Sequence, residues 1–170
     1  MPRFVRPSPE LHQEWLKAHD EWGVGLHEDG FGLLSTDEVR SRQGFTAFVA
    51  RLTIEDAHPQ AGREQCSYRW IVDRGDVGGG VALRHGTTEC VNVLGHIGYG
   101  ITPSARGRGL SKWALGQVLC LAVSVGLERV LLVCFADNLA SIRTIEHGGG
   151  IFERCVETGD GIVNRYWVEL

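Results

Sequence analysis

The residues best equipped for chemistry lie between Gly98 and Ser111. Gly98-Tyr99-Gly100-Ile101-Thr102 reads as a strand, and Pro103-Ser104-Ala105-Arg106-Gly107-Arg108-Gly109 as a turn running straight into a helix at Leu110-Ser111. A helix start presents unpaired backbone N–H groups and the positive end of the helix dipole, and both attract anions. Gly107 and Gly109 let the backbone approach closely, while Arg106 and Arg108 add positive charge. This layout suits a phosphate-bearing cofactor. It is not a nucleotide P-loop, because no GxxxxGK[ST] occurs and that motif's lysine and Mg²⁺-binding hydroxyl are missing from the spacing.

The elements that must position this turn follow from periodicity. Ser8-Pro9-Glu10 opens a helix with a capping hydroxyl, a first-turn proline and an acid beside the dipole, and Leu11, Trp15, Ala18 and Trp22 share one face. Glycines at 23, 25, 30 and 32 break it. A second helix is expected from Thr36-Asp37-Glu38, with Phe45, Phe48, Val49 and Leu52 as its apolar stripe and Gly44 as a place where it could split. Residues 56 to 65 read as a loop. Tyr68 to Asp73 and Val77 to His85 then form a hairpin around Arg74-Gly75-Asp76, its second strand weakened and open to a bulge at Gly78-Gly79-Gly80. Residues 86 to 94 carry no clear period. Gly95 to Thr102 is the strand entering the turn, Leu110 to Gly126 a helix, Arg129 to Phe135 a strand covered on both faces, and Asn138 to His147 a short helix stopped by three glycines. Two strands, Ile151 to Val156 and Val163 to Leu170, complete the order.

At 170 residues the chain fits a single domain with a substantial core, residues 1–64 helical and 65–170 mostly strand and helix. No apolar run reaches the roughly 18 residues of a membrane span, and the N-terminus lacks a signal-peptide core, so a cytoplasmic protein without a membrane partner is expected. Five cysteines, Cys66, Cys90, Cys120, Cys134 and Cys155, without any CxxC pair, argue against a disulfide framework and a zinc site, and no metal is expected. A net charge of -4 does not point to nucleic acid. The charge is uneven: residues 1–64 hold eleven acids and seven bases, residues 65–170 ten of each. Solvated helix faces account for such a segment, and so does a field drawing in a cationic partner.

Arg106-Gly107-Arg108-Gly109-Leu110-Ser111 resembles the [Q/R]-x-x-G-x-[G/A] motif of the GNAT superfamily of N-acetyltransferases, with Ser111 departing from the final Gly or Ala. Asp137-Asn138-Leu139-Ala140-Ser141 and Glu146-His147-Gly148-Gly149 resemble its second cofactor segment. Leu83-Arg84-His85, Gly95-His96-Ile97-Gly98-Tyr99, Pro103-Ser104 and Arg165-Tyr166-Trp167 are similar to a bacterial subgroup of predicted acetyltransferases, over about residues 68 to 170. The resemblance implies an α+β fold: a central mixed, mostly antiparallel sheet of six to seven strands, about four flanking helices, and a strand splayed at the acetyl-CoA site.

It also implies roles. Backbone N–H groups of residues 106–111 (Arg106, Gly107, Arg108, Gly109, Leu110, Ser111) would cradle the pyrophosphate of acetyl-CoA. The strand at Tyr99, Gly100 and Ile101 would pair with the pantetheine arm and offer an N–H to the thioester oxygen, and Asn138 and Ser141 would contact the arm from the second helix. An alkylamine must lose a proton to attack, which makes Glu89, His85 and His96 the candidate bases. Many relatives protonate the departing thiolate with a helix tyrosine, but the matching residue here is Ile145, leaving water or Tyr166 as the acid. Cys134 lacks an adjacent positive partner, so direct attack by the bound amine is expected rather than a ping-pong route.

The acceptor is expected on the N-terminal side, where Trp15, Trp22, Glu14, Asp20, Glu21, Glu28 and Asp29 would wall a pocket for a cationic amine. An aminoglycoside-like antibiotic of the kasugamycin type, acetylated as a resistance mechanism, is the first expectation. A polyamine or a protein or peptide amine is the alternative, and from another class an acyl-CoA sensor without turnover. A homodimer is compatible with the sequence.

Overall fold

The structure, a computed structural model, describes residues 1–23, 29–59 and 64–170. The elements are β1 Arg3–Val5, α1 His12–Trp22, α2 Arg42–Ala57, β2 Cys66–Asp73, β3 Asp76–Arg84, α3 Glu89–Leu94, β4 Ile97–Ile101, α4 Leu110–Ser124, β5 Arg129–Phe135, α5 Leu139–His147, β6 Ile151–Thr158 and β7 Gly161–Glu169. Short 3₁₀ turns span Pro9–Leu11, Asp29–Phe31 and Pro103–Ala105. The sheet has seven strands in the order β1-β2-β3-β4-β5-β7-β6, antiparallel throughout except for β4 beside β5. This is the mixed, mostly antiparallel sheet expected, with five helices among the described residues. No helix among them is long and apolar enough to cross a membrane.

Two cores form because the sheet buries both faces. On one, α1 and α2 bring Trp15, Phe45, Phe48, Val49 and Leu52 against Trp70, Val72 and Val77. On the other, α4 and α5 bring Leu110, Ala114, Leu115, Val118 and Ile145 against Ile71, Val81, Leu83, Ile97, Val130, Leu132 and Tyr166. Ser8 caps the Pro9–Leu11 turn that leads into α1, and Ser41, not Thr36, caps α2. The carboxylate of Asp37 instead accepts from the Leu34 N–H at 2.8 Å, holding that segment as a turn, so α2 begins six residues later than the Thr36 signal implied. Gly44 does not split α2: it stands opposite Glu38, whose carboxylate a Cβ would meet. Packing against β2 carries the helix on to Ala57, into the stretch read as a loop.

The glycine triplet has its reason in tertiary approach. Gly78 is the residue skipped in the β2–β3 register, the anticipated bulge. Gly80 lies so close to the backbone of Gly30 that a Cβ would stand 2.6 Å from the Gly30 carbonyl oxygen. The segment between α1 and α2 therefore rests directly on β3. Strand β1, which the sequence reading passed over, is three residues long and pairs with β2, and the unassigned residues before β4 include α3. At the opposite edge, β6 is largely exposed.

Phe45 is wholly buried and contacts the rings of His12, Trp15, Phe48 and Trp70. Phe45→Ala should destabilise the protein by about 3–5 kcal/mol, read as a lower midpoint at unchanged slope in urea unfolding.

Candidate active site

Strands β4 and β5 pair at one position only, Ile97 with Leu132, and then part. On the N-terminal side of that position, away from the gap, lie Gly95 and His96. The His96 N–H donates to the Leu131 carbonyl at 2.7 Å, and its ring Nδ1 accepts from the Leu131 N–H at 2.9 Å. One residue thus satisfies both polar groups of Leu131 at the closed end of the β4–β5 pair. Gly95, at φ 82°, lies close to the Leu131 carbonyl, where a side chain would collide. On its other edge β4 remains in register with β3, and the Thr102 N–H donates to the Gly78 carbonyl. The alternation of an antiparallel ladder then turns the N–H groups of Tyr99 and Ile101 toward the gap.

Into this gap opens a cavity of about 360 Å³ lined by Tyr99, Gly100, Ile101, Ala105, Arg106, Gly107, Gly109, Leu110, Ser111, Asn138, Ala140, Ser141 and Thr144. Gly107 and Gly109 have φ of 72° and 76°, and no atom lies within 4 Å of where their Cβ atoms would be. Gly109 is the N-cap of α4 in a left-handed conformation that glycine adopts without steric cost, so the first N–H groups of α4 face open space. Asn138 caps α5, its side chain accepting from the Ser141 N–H at 3.1 Å. Of the residues expected around the cofactor, Arg108 alone is absent from this lining: its guanidinium pairs with Asp73. Ala105, Ala140 and Thr144 line it without having been anticipated, although Thr144 follows Ser141 by three residues and helical spacing would have found it.

The acceptor expectation for the N-terminal helix needs correction. Trp15 is 1% exposed within the aromatic core, so it walls no open pocket. Glu21 accepts from both the N–H and the hydroxyl of Ser104, the latter at 2.8 Å, and Trp22 lies under the Arg106 guanidinium at 5.3 Å. The end of α1 therefore braces the Gly/Arg turn. Asp20 pairs with Arg40. Glu14 sits half-buried on α1, and Glu28 and the side chain of Asp29 fall outside the described residues. Several acids of this segment are held in ion pairs: Arg51 binds both Asp37 and Glu55, and Arg69 binds Asp56.

The candidate bases separate clearly. His96 is 4% exposed, and burial lowers its pKa, keeping the ring neutral. With Nδ1 committed to the Leu131 N–H, accepting a proton there would break that bond, which fits a structural role for His96. The Ser67 hydroxyl gives its proton to Asp56, so the His85 Nε2–H must donate to Ser67, at 2.8 Å, leaving Nδ1 as the ring's acceptor. Tyr166 is 2% exposed, packs edge-on against Phe152, and does not line the cavity, which corrects its expected contact with the thiol. Ile145 is buried in the core below α5. Burial pushes the Cys134 thiol up to about 11, the wrong direction for a nucleophile.

A second cavity, about 660 Å³, lies on the α1/α2 side of the sheet between the end of α2, β2, β3 and α3. It is lined by Glu55, Glu64, Cys66, Tyr68, Arg84, Thr88, Glu89, Cys90 and Leu94. Tyr68 donates to Glu55 at 3.0 Å, Glu64 accepts from the Thr88 N–H at 2.9 Å, and Glu89 is exposed at the rim. Among the described residues no cluster of three or more His, Cys, Asp or Glu side chains could hold a metal ion.

The role of His96 has a pH signature. An unfolded histidine takes up a proton below about pH 6.5, whereas the folded ring resists it, so stability is full above that pH and falls as pH drops. His96→Asn keeps an acceptor for Leu131 but removes the titration. Its melting temperature should start lower and decline less between pH 6.5 and 5 than that of the wild type, measured by thermal melts across that range.

The model of the acetyltransferase (GNAT) domain matches residues 27–151. Among curated proteins no sequence match is found. The fold is shared with the microcin C7 self-immunity acetyltransferase MccE, solved with acetyl-CoA and AMP: 14% identity over 99% of this chain and 92% of that one, TM-score 0.71. It is also shared with the ribosomal L7/L12 α-N-protein acetyltransferase RimL in complex with coenzyme A, at 18% identity, 99% and 94% coverage and TM-score 0.70. A GNAT-family acetyltransferase from Streptococcus pneumoniae aligns over 100% of this chain and 99% of its own at 15% identity and TM-score 0.70. With the parted strands, the glycine turn and the matched domain in agreement, the chain belongs to the GNAT family and is an N-acetyltransferase that takes its acetyl group from acetyl-CoA.

Proposed function

We propose that acetyl-CoA occupies the 360 Å³ cavity and that its acetyl group passes, by direct attack, to a primary amine of a small cationic acceptor seated in the cavity beside α2 and α3. An aminoglycoside-like aminosugar is the acceptor that fits this reading best. The observation that carries it is the placement of two cavities on opposite faces of the sheet, both bordering β4 or its approach. Tyr99 faces α4 and α5, whereas Arg84 and Tyr68 face α2, so the gap between β4 and β5 is the place for donor and acceptor to meet.

On the donor side, N–H groups at the start of α4 and the Arg106 guanidinium would hold the pyrophosphate, and the free N–H groups of Tyr99 and Ile101 would bind the pantetheine arm and the thioester oxygen. A backbone donor aimed at a developing oxyanion contributes about 3 kcal/mol to the transition state. On the acceptor side, Glu64 and Glu89 favour a cationic amine, and Glu89 at the rim receives the proton that the amine must shed, directly or through water. Arg84 beside them is tied to the Gly95 carbonyl at 3.2 Å.

A second reading, acetylation of a protein or peptide amine, draws on the exposure of Glu89, Cys90 and Leu94 at the rim, which an extended chain could cross. A fold neighbour that is an L7/L12 α-N-protein acetyltransferase accords with it. Thiol release from acetyl-CoA against a panel of aminoglycosides, polyamines, amino acids and basic peptides separates the two readings. Turnover with none of these amines would favour a non-catalytic acyl-CoA sensor.

Gly109→Asp should abolish acetyl-CoA binding in calorimetry, because Asp tolerates the left-handed backbone but sets a carboxylate at the pyrophosphate. Gly109→Asn, neutral and of similar shape, should retain measurable binding. Glu89→Gln should lower kcat by about a hundredfold while leaving the dissociation constant of acetyl-CoA unchanged. Equal turnover would remove Glu89 as the base.

A further inference from the structure

Arg165, from the Arg165-Tyr166-Trp167 segment of β7, is a charged residue only 8% exposed. It alternates with Tyr166 and Val168, which face α4 and α5, so its guanidinium lies on the opposite face of the sheet, the side of α3. There its Nε–H donates to the Glu153 carboxylate at 2.7 Å, and a terminal N–H donates to the backbone carbonyl of Asn92 in α3. Glu153 is the residue skipped in the β6–β7 register, and the bulge turns its side chain onto Arg165. The hydrogen bond from Arg165 lowers the Glu153 pKa, so the pair is charged at neutral pH.

What these two residues hold is a helix that cannot hold itself. Six residues are too few for a stable helix in isolation, and Val91 is the single residue that α3 buries. The Asn92 carbonyl would look to the N–H of His96, four places on, but that N–H is given to Leu131. Arg165 satisfies it instead. At the other end Glu64 accepts from the Thr88 N–H, its carboxylate lying over Gly86 where a Cβ would collide. The carboxylate at the start and the guanidinium at the end each have the sign that a helix dipole favours. An apolar residue at 165 would pack the sheet at least as well as a buried ion pair, which leaves the contact with α3 as the arginine's distinctive contribution.

Helix α3 carries Glu89, Cys90 and Leu94 on the wall of the second cavity, where the acceptor is placed above. We propose that Arg165 is a positioning residue of the acceptor site: held by the Glu153 bulge, it fixes α3 through the Asn92 carbonyl and so sets where the Glu89 carboxylate meets the incoming amine. The proposal rests on the reading of Glu89 as the base. Arg165 itself lines neither cavity. A misplacement of about 1 Å in a reacting group costs up to about a hundredfold in rate, so a distant clamp of this kind is felt in turnover.

Arg165→Met keeps the length of the side chain and removes its donors, and Glu153, which is partly exposed, can turn to water. By hydrogen exchange and mass spectrometry, the amides of residues 89–95 should exchange about tenfold faster than in the wild type, with α4 unchanged. With the best acceptor of the amine panel, kcat should fall about tenfold while the dissociation constant of acetyl-CoA stays within about twofold. In a Glu89→Gln background the same substitution should cost nothing further, because the base it positions is gone. Arg165→Lys keeps a charge beside Glu153 but lacks the planar fork; it should show the same changes at smaller size, and it carries the test if Arg165→Met does not fold. Unchanged exchange in residues 89–95, unchanged kcat, or losses that multiply in the double variant would each overturn the proposal. Equal turnover of Glu89→Gln and wild type, or turnover with no amine of the panel, would instead bring down the reading of Glu89, with the exchange rates still deciding whether Arg165 holds α3.

Discussion

The pairing of β4 with β5 at a single position is the constraint on which the rest of the site depends. Parallel neighbours in a sheet normally continue side by side, and a strand edge left without partners inside a protein must be satisfied in some other way. Here His96 and Gly95 secure Leu131 at the closed end of the pair, and beyond Ile97 the backbone of β4 is open toward the gap. The cavity, the free N–H groups and the approach of α4 and α5 all follow from that parting. Replacing the histidine's acceptor would therefore disturb the site through the sheet and not through any bond to substrate.

Legibility in the sequence followed the range of the interactions. The turn from Arg106 to Ser111, strand β5 and helices α4 and α5 are determined by local spacing and capping, and they stand within about two residues of where periodicity puts them. Roles that depend on distant partners were hidden. Nothing near Arg108 in the sequence tells that Asp73 holds it, and nothing near Trp15 distinguishes a core indole from a pocket wall. His96 looked like a base because imidazole chemistry is versatile, whereas its ring was already committed to a backbone group 35 residues away. The cavity between α2 and α3 was likewise out of reach, since it gathers residues 55 to 94 from both sides of a hairpin.

The acidic bias of the first 64 residues illustrates the same limit in electrostatic terms. A count of charges suggests a field, but Asp20, Asp37, Glu55 and Asp56 each face an arginine, and Glu21 serves a serine. Of these only the Asp20–Arg40 pair is exposed, where an ion pair contributes little stability, whereas the pairs of Arg51 and Arg69 are largely buried. Their effect is to cancel charge locally, so a formal charge count overstates the field at the segment's surface.

The brace between α1 and the turn has a consequence for how the protein folds. The contact of Glu21 with Ser104 joins residues 83 apart. A contact that closes so long a stretch of chain carries a large entropic cost and forms after local helices and hairpins. The turn is contiguous in sequence and reads as a self-contained motif, yet it reaches its final shape only when the first helix docks. The turn's final shape is thus coupled to the docking of α1 on the opposite face of the sheet and not to its own local sequence alone.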